Sequence, residues 1–153
     1  MINRRSFLAR TGLLAPAAVA FPALAAAADW TDAEKANVAV VNDMCRVWTA
    51  PVNFEKVGSF LTEDCVYRAT ETAPPVKGRQ AIVDSLKKML GGAVSKAEFE
   101  IVQTFARGPM VVNERFDRFV MPKTSMEWHG IGVFMLKDGK IAEWNDYTIT
   151  MKR

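Results

Sequence analysis

Between Met110 and Met151 two turn signals, Pro122-Lys123-Thr124 and Lys137-Asp138-Gly139-Lys140, cut the chain into three strand-like runs. Breaks this short join antiparallel neighbours, so the segment reads as a β-meander. With a preceding run, the predicted strands cover about 97–107, 110–121, 125–137 and 140–151. Upstream the apolar period changes from strand-like to helical. Thr31-Asp32-Ala33-Glu34 is a capping box, after which Val38, Val41, Met44, Cys45 and Trp48 recur at helical spacing until Pro51. Asn53 can cap a short second helix carrying Val57, Phe60 and Leu61, and Cys65 to Ala69 reads as a strand. A third helix is expected from about Arg79 to Leu90, with Ile82, Leu86, Met89 and Leu90 on one stripe and Gly91-Gly92 as its stop. Helices followed by a meander specify the α+β class, with about three helices packed on one curved, mostly antiparallel sheet.

The first 28 residues are set apart from this domain. Asn3-Arg4-Arg5-Ser6-Phe7-Leu8 is a twin-arginine signature, and the Ala-rich run after it offers cleavage points at Ala23-Leu24-Ala25 and Ala25-Ala26-Ala27. Residues 1–28 are therefore expected to be a cleaved leader and 29–153 the working domain, exported folded to the periplasm or beyond. No stable membrane anchoring is expected after cleavage, because Pro16 and Pro22 interrupt a run of marginal length. Removing Arg4, Arg5 and Arg10 with the leader leaves 17 basic against 17 acidic residues, so net charge gives no argument for nucleic acid or an anionic surface as partner. Cys45 and Cys65 are expected to be buried apolar residues, since the domain folds before it leaves a reducing compartment.

The chemistry-bearing residues lie in the meander. Residues two apart on a strand share a face, so Arg115 and Asp117 project together. Asp146 joins them only if the turns set the right register. A first turn centred on Lys123 or Thr124 and a three-residue second loop put Asp117 opposite Gly130 and Gly130 opposite Asp146. A tight Asp138-Gly139 turn points Asp146 to the wrong face. The concave face would then carry Arg115, Asp117, Phe119, Trp128, Gly130, Asp146 and Thr148, with Met44, Trp48, Leu86 and Met89 as candidates for the wall. An Arg-x-Asp pair standing alone is also the pattern of a solvated surface ion pair. His129 has no Cys or carboxylate partner at ligand spacing and there is no Gly-rich phosphate loop, so no metal, nucleotide or organic cofactor is expected. The outer sheet face, with Phe116, His129, Ile131 and Tyr147, is expected to need cover and to support a homodimer.

Several motifs carry a resemblance. They are Phe60-Leu61-Thr62-Glu63-Asp64-Cys65-Val66-Tyr67, the Pro74-Pro75-Val76-Lys77-Gly78-Arg79 run, Asn113-Glu114-Arg115-Phe116-Asp117, and Trp144-Asn145-Asp146-Tyr147. Together, over about residues 34–150, they resemble the limonene-1,2-epoxide hydrolase family of the nuclear-transport-factor-2-like (NTF2-like), SnoaL-like superfamily. The resemblance implies a cone-shaped fold. It also implies Asp146 as general base on a water, Asp117 as the acid that protonates the epoxide oxygen, Arg115 as the bridge between them and Tyr67 as a water holder. The family's second water holder is an Asn. Aligning on Tyr67 puts Ala69 there, whereas aligning on the Pro-Pro run puts Thr70 there. The expected substrate is a small apolar epoxide, contacted by Phe119, Trp128, Leu86, Met89, Thr148 and Thr70 and opened to a vicinal diol. The alternatives are a non-catalytic binding protein and an isomerase or cyclase of the ketosteroid-isomerase or polyketide-cyclase kind.

Overall fold

A computed structural model describes residues 29–90 and 94–152. The expected leader and the Gly91-Gly92 helix stop lie outside the described residues. Helix α1 spans Asp32–Arg46. Its capping box is closed in both directions: Thr31 Oγ1 accepts from the Glu34 amide at 3.2 Å, and Glu34 Oε2 accepts from the Thr31 amide at 2.8 Å. The other oxygen of Glu34 accepts from the Gly108 amide at 2.7 Å, tying the helix start to the turn before the meander. Helix α2, Phe54–Gly58, begins at an Asn53 cap whose Oδ1 accepts from the Lys56 amide at 2.9 Å. It ends earlier than expected. Leu61 belongs to the next strand, where it pairs with Ile141, and Gly58 lies so close to helix α3 that a Cβ there would stand 2.6 Å from Val83 Cγ2. Helix α3, Arg79–Leu90, buries Ile82, Val83, Leu86 and Leu90. Met89, expected on that stripe, is instead 56% exposed.

The strands are β1 Leu61–Arg68, β2 Val76–Lys77, β3 Lys96–Arg107, β4 Met110–Met121, β5 Thr124–Lys137 and β6 Lys140–Lys152. They form one sheet in the order β2-β1-β6-β5-β4-β3, antiparallel except for the β1–β6 pair. This is the α+β arrangement the meander implied. The short strand β2 and the parallel pairing were not legible, since neither leaves a hydrophobic period.

Both hairpin registers differ from expectation, and the second difference decides where Asp146 points. The β4–β5 turn is Pro122-Lys123, so Arg115 faces Gly130 and Asp117 faces Trp128. Moving the turn by one residue moves the pairing by two, which leaves every side chain on its face. The β5–β6 turn is the tight Asp138-Gly139 pair, with φ of 51° and 71°, as a type I′ turn requires. Alone, that turn would send Asp146 outward. It does not, because β6 carries an extra residue: Leu136 pairs with Ile141 but Met135 pairs with Glu143, leaving Ala142 as a bulge. The phase is restored, and Gly132 rather than Gly130 faces Asp146. A second irregularity leaves Ile149 unpaired and puts Met151 opposite Trp128.

On the outer face Phe116 stacks on His129, centroids 4.2 Å apart, and His129 Nε2 lies 2.7 Å from Glu114 Oε1. Cys45 and Cys65 are both buried free thiols.

Candidate functional site

Asn113, Arg115 and Asp117 alternate along the inner face of β4, and all three are buried. Arg115 is 0% exposed, which a charge tolerates only when it is paired and hydrogen-bonded. Its Nε donates to Asp117 Oδ1 and Oδ2 at 3.0 and 3.2 Å, its Nη2 to Asp146 Oδ1 at 2.8 Å, and its Nη1 to Asn113 Oδ1 at 3.0 Å. Three rings surround the guanidinium, with Cζ 4.9 Å from the Trp128 centroid, 5.4 Å from Phe99 and 5.8 Å from Phe134. The remaining side is open only because position 132 is glycine. A Cβ there would overlap Arg115 Nη1 and lie 2.7 Å from the Phe134 ring.

The two carboxyls are held differently. Asp146 Oδ1 accepts from Arg115 and also from Trp144 Nε1 at 2.9 Å, while Oδ2 has no protein partner among the described residues. Burial pushes Asp117 up to about 7, with Arg115 opposing and the charge of Asp146 adding to the rise. Asp146 is likewise raised by burial, opposed by Arg115 and by its hydrogen bonds from Arg115 and Trp144. Burial works against the Arg115 charge, but Asp146 and Asp117 outweigh it and the side chain stays protonated. Two separate N–H donors on Asp146 favour its ionised form, whereas Asp117 accepts from Arg115 alone among the described residues.

Both carboxyls line a cavity of about 470 Å³, in the range of small-molecule sites. Tyr67 also lines it. The Tyr67 hydroxyl has no protein hydrogen bond among the described residues, and burial raises its pKa well above the usual value, which keeps it a neutral donor. Ala69 and Thr70 both reach the cavity. Ala69 continues the inward alternation of Cys65 and Tyr67, so it occupies the place in phase with Tyr67. Phe119, Trp128, Leu86, Trp48 and the exposed Met89 complete much of the wall.

Two expected wall residues stand elsewhere. Thr148 lies behind Trp128, its Oγ1 accepting from Trp128 Nε1 at 2.9 Å, and Met44 is buried beneath Trp48, whose Nε1 is 3.4 Å from its sulfur. Residues the sequence reading did not single out for the site are Asn113, Trp144, Gly132, Phe99, Met121, Met126 and Met151. Period two from Arg115 and from Asp146 was the available signal for Asn113 and Trp144.

A family model of the SnoaL-like domain matches residues 41–144. The chain belongs to the SnoaL-like domain family. An LEH-like epoxide hydrolase of M. tuberculosis is 25% identical with a TM-score of 0.65, the match covering 75% of this chain and 84% of that one. A putative SnoaL-like polyketide cyclase from Jannaschia sp. CCS1 is 17% identical with a TM-score of 0.67, over 79% of this chain and 90% of its own. The epoxide hydrolase/cyclase-like enzyme SalBIII is also 17% identical, TM-score 0.65, over 75% and 92%. These likenesses agree on an NTF2-like fold, and this SnoaL-like family includes enzymes.

Proposed function

We propose that this SnoaL-like protein hydrolyses a small lipophilic epoxide to a vicinal diol in one displacement, with no covalent enzyme intermediate and no cofactor. The observation that carries the reading is the Asp146–Arg115–Asp117 constellation on a mostly apolar cavity, with Asp146 Oδ2 unpartnered. Ring opening needs a proton on the leaving oxygen and a nucleophile at carbon together, so one carboxyl must be neutral while its neighbour is ionised. Asp146 Oδ2 takes a proton from water as the water oxygen attacks carbon. Asp117 delivers its proton to the epoxide oxygen as that C–O bond breaks. Arg115 bonds to both throughout, and Tyr67 orients the water. The twin-arginine leader would place this activity outside the cytoplasm.

Asp117→Asn and Asp146→Asn should each slow epoxide opening at least about a hundredfold, and the double variant should be little worse than either, because both groups serve one step. Wild-type turnover should fall as pH rises through about 7, where Asp117 loses its proton. The assay is diol formation from terpene, cycloalkene and styrene-type oxides. An active Asp117→Asn, or no diol from any of them with the wild type, refutes the reading. Ala69 favours a second reading, a binding protein, since a methyl group cannot hold the water; ligand affinity would then survive loss of either carboxyl.

A further inference from the structure

The cavity's burial is graded from floor to mouth. Asp117, Asp146, Tyr67 and Trp144 on the floor are each at most 6% exposed, whereas Met89 is 56% and Met151 40% exposed. Met121 and Met126 are half-buried between them. Four methionines on four separate elements thus ring the opening, an unusual amount of apolar surface to leave in water.

The charge around that ring is one-sided. The segments that supply it, residues 86–90, 119–127 and 148–152, contain Lys87, Lys88, Lys123 and Lys152 against one carboxylate, Glu127. Lys123 sits in the two-residue turn joining Met121 to Thr124, Lys88 precedes Met89, and Lys152 follows Met151. Lys88 and Lys123 have no ion-pair partner among the described residues, while Lys87 pairs with Glu55 and Lys152 with Glu127. Neighbouring carboxylates are engaged: Glu71 by the Thr148 amide, and Glu127 by Arg118 and Lys152. In a domain with 17 basic and 17 acidic residues, this local imbalance is hidden from net charge.

We propose that the mouth docks on an anionic lipid surface, with the methionines seated among the acyl chains, Lys88 and Lys123 at the headgroups, and the cavity opening directly into the bilayer. No described helix is long and apolar enough to cross a membrane, so the attachment is peripheral and reversible. The cations meet the charge of anionic headgroups while the apolar ring loses water, which is the complementarity an interfacial site needs. Substrate then enters from the bilayer, where a lipophilic epoxide concentrates. That last step rests on the proposed hydrolysis; the docking does not.

The test uses the protein as recovered from expressing cells, with one N-terminus throughout, sedimented with phosphatidylcholine vesicles containing or lacking phosphatidylglycerol. Wild type should partition to the anionic vesicles at least about twentyfold more strongly, at about fivefold per lysine near the surface, and lose most of this in high salt. Lys88→Glu with Lys123→Glu should abolish the preference. Lys35→Glu with Lys137→Glu, an equal charge change at exposed positions outside the mouth segments, should retain it. The Lys88→Glu, Lys123→Glu protein should keep its turnover of a water-soluble epoxide and lose it on one embedded in vesicles. Equal partition of wild type to both vesicles, or equal loss in both double variants, overturns the proposal. Retention on an acidic carrier protein without vesicle binding overturns it in favour of a protein partner. If vesicles bind as expected but no epoxide is opened, only the hydrolase reading fails.

Discussion

Replacing Arg115 by Met removes the one cation that the buried carboxyls share while keeping an unbranched apolar chain of similar length. Among the described residues, Asp117 loses its only protein donor, Asn113 Oδ1 loses its donor, and Asp146 keeps only the Trp144 N–H. Breaking a buried ion pair on one side costs about 3–5 kcal/mol when the remaining charge cannot reach water. For a domain of this size that is roughly a 10–20 °C fall in melting temperature. The loss must depend on pH. A carboxyl whose folded pKa lies above its unfolded value near 4 binds more protons when folded, so stability falls as pH rises from that value through the folded pKa. Asp117 stands at about 7 even beside Arg115, and without the cation both carboxyls move higher. The destabilisation should therefore be largest near pH 8 and about 2 kcal/mol or more smaller at pH 5, where both carboxyls take protons. Urea unfolding followed by tryptophan fluorescence at the two pH values measures it. An equal loss at pH 5 and 8, or a loss below about 1 kcal/mol at pH 8, would show that these carboxyls are solvated and that the dry shared-proton site is wrong.

Gly132→Ala puts a Cβ on Arg115 Nη1 with no room for the guanidinium to retreat between Phe99, Trp128 and Phe134, and should cost about 1–3 kcal/mol of stability. It should also lower kcat at least about tenfold with little change in KM; normal kcat with normal stability would refute the slot. Thr70→Val should slow diol formation roughly tenfold, the worth of one hydrogen bond of about 1.5 kcal/mol, and leave binding of a non-reactive apolar analogue unchanged. Unchanged turnover would show that Thr70 does not hold the water, and Ala69→Asn would then be the variant that gains activity.

Local rules determined much of this protein. The capping box at Thr31 and the helical stripe from Val38 to Cys45 depend on neighbours within a few positions and stand where the sequence puts them, and the meander turns inside the two expected segments, though with other registers. Period two was enough to place Arg115 and Asp117 on one face. Asp146 was different. Its direction depends on a bulge at Ala142 that cancels the half-turn introduced by Asp138-Gly139, and no residue type announces that bulge, which lies where β6 runs between β1 and β5. Gly132 was likewise visible as a glycine, but that it makes room for the Arg115 guanidinium, which a single Cβ there would overlap, is a fact of the folded sheet. The mouth shows the same limit for charge. Methionines from α3, β4, β5 and β6 line one opening, and the lysines beside them in the chain average to nothing in a balanced composition; only the tertiary structure brings those segments together. Helix caps and turns are settled by contacts close in sequence, whereas register, the slot beside Arg115 and the rim are set by contacts between segments far apart in the chain.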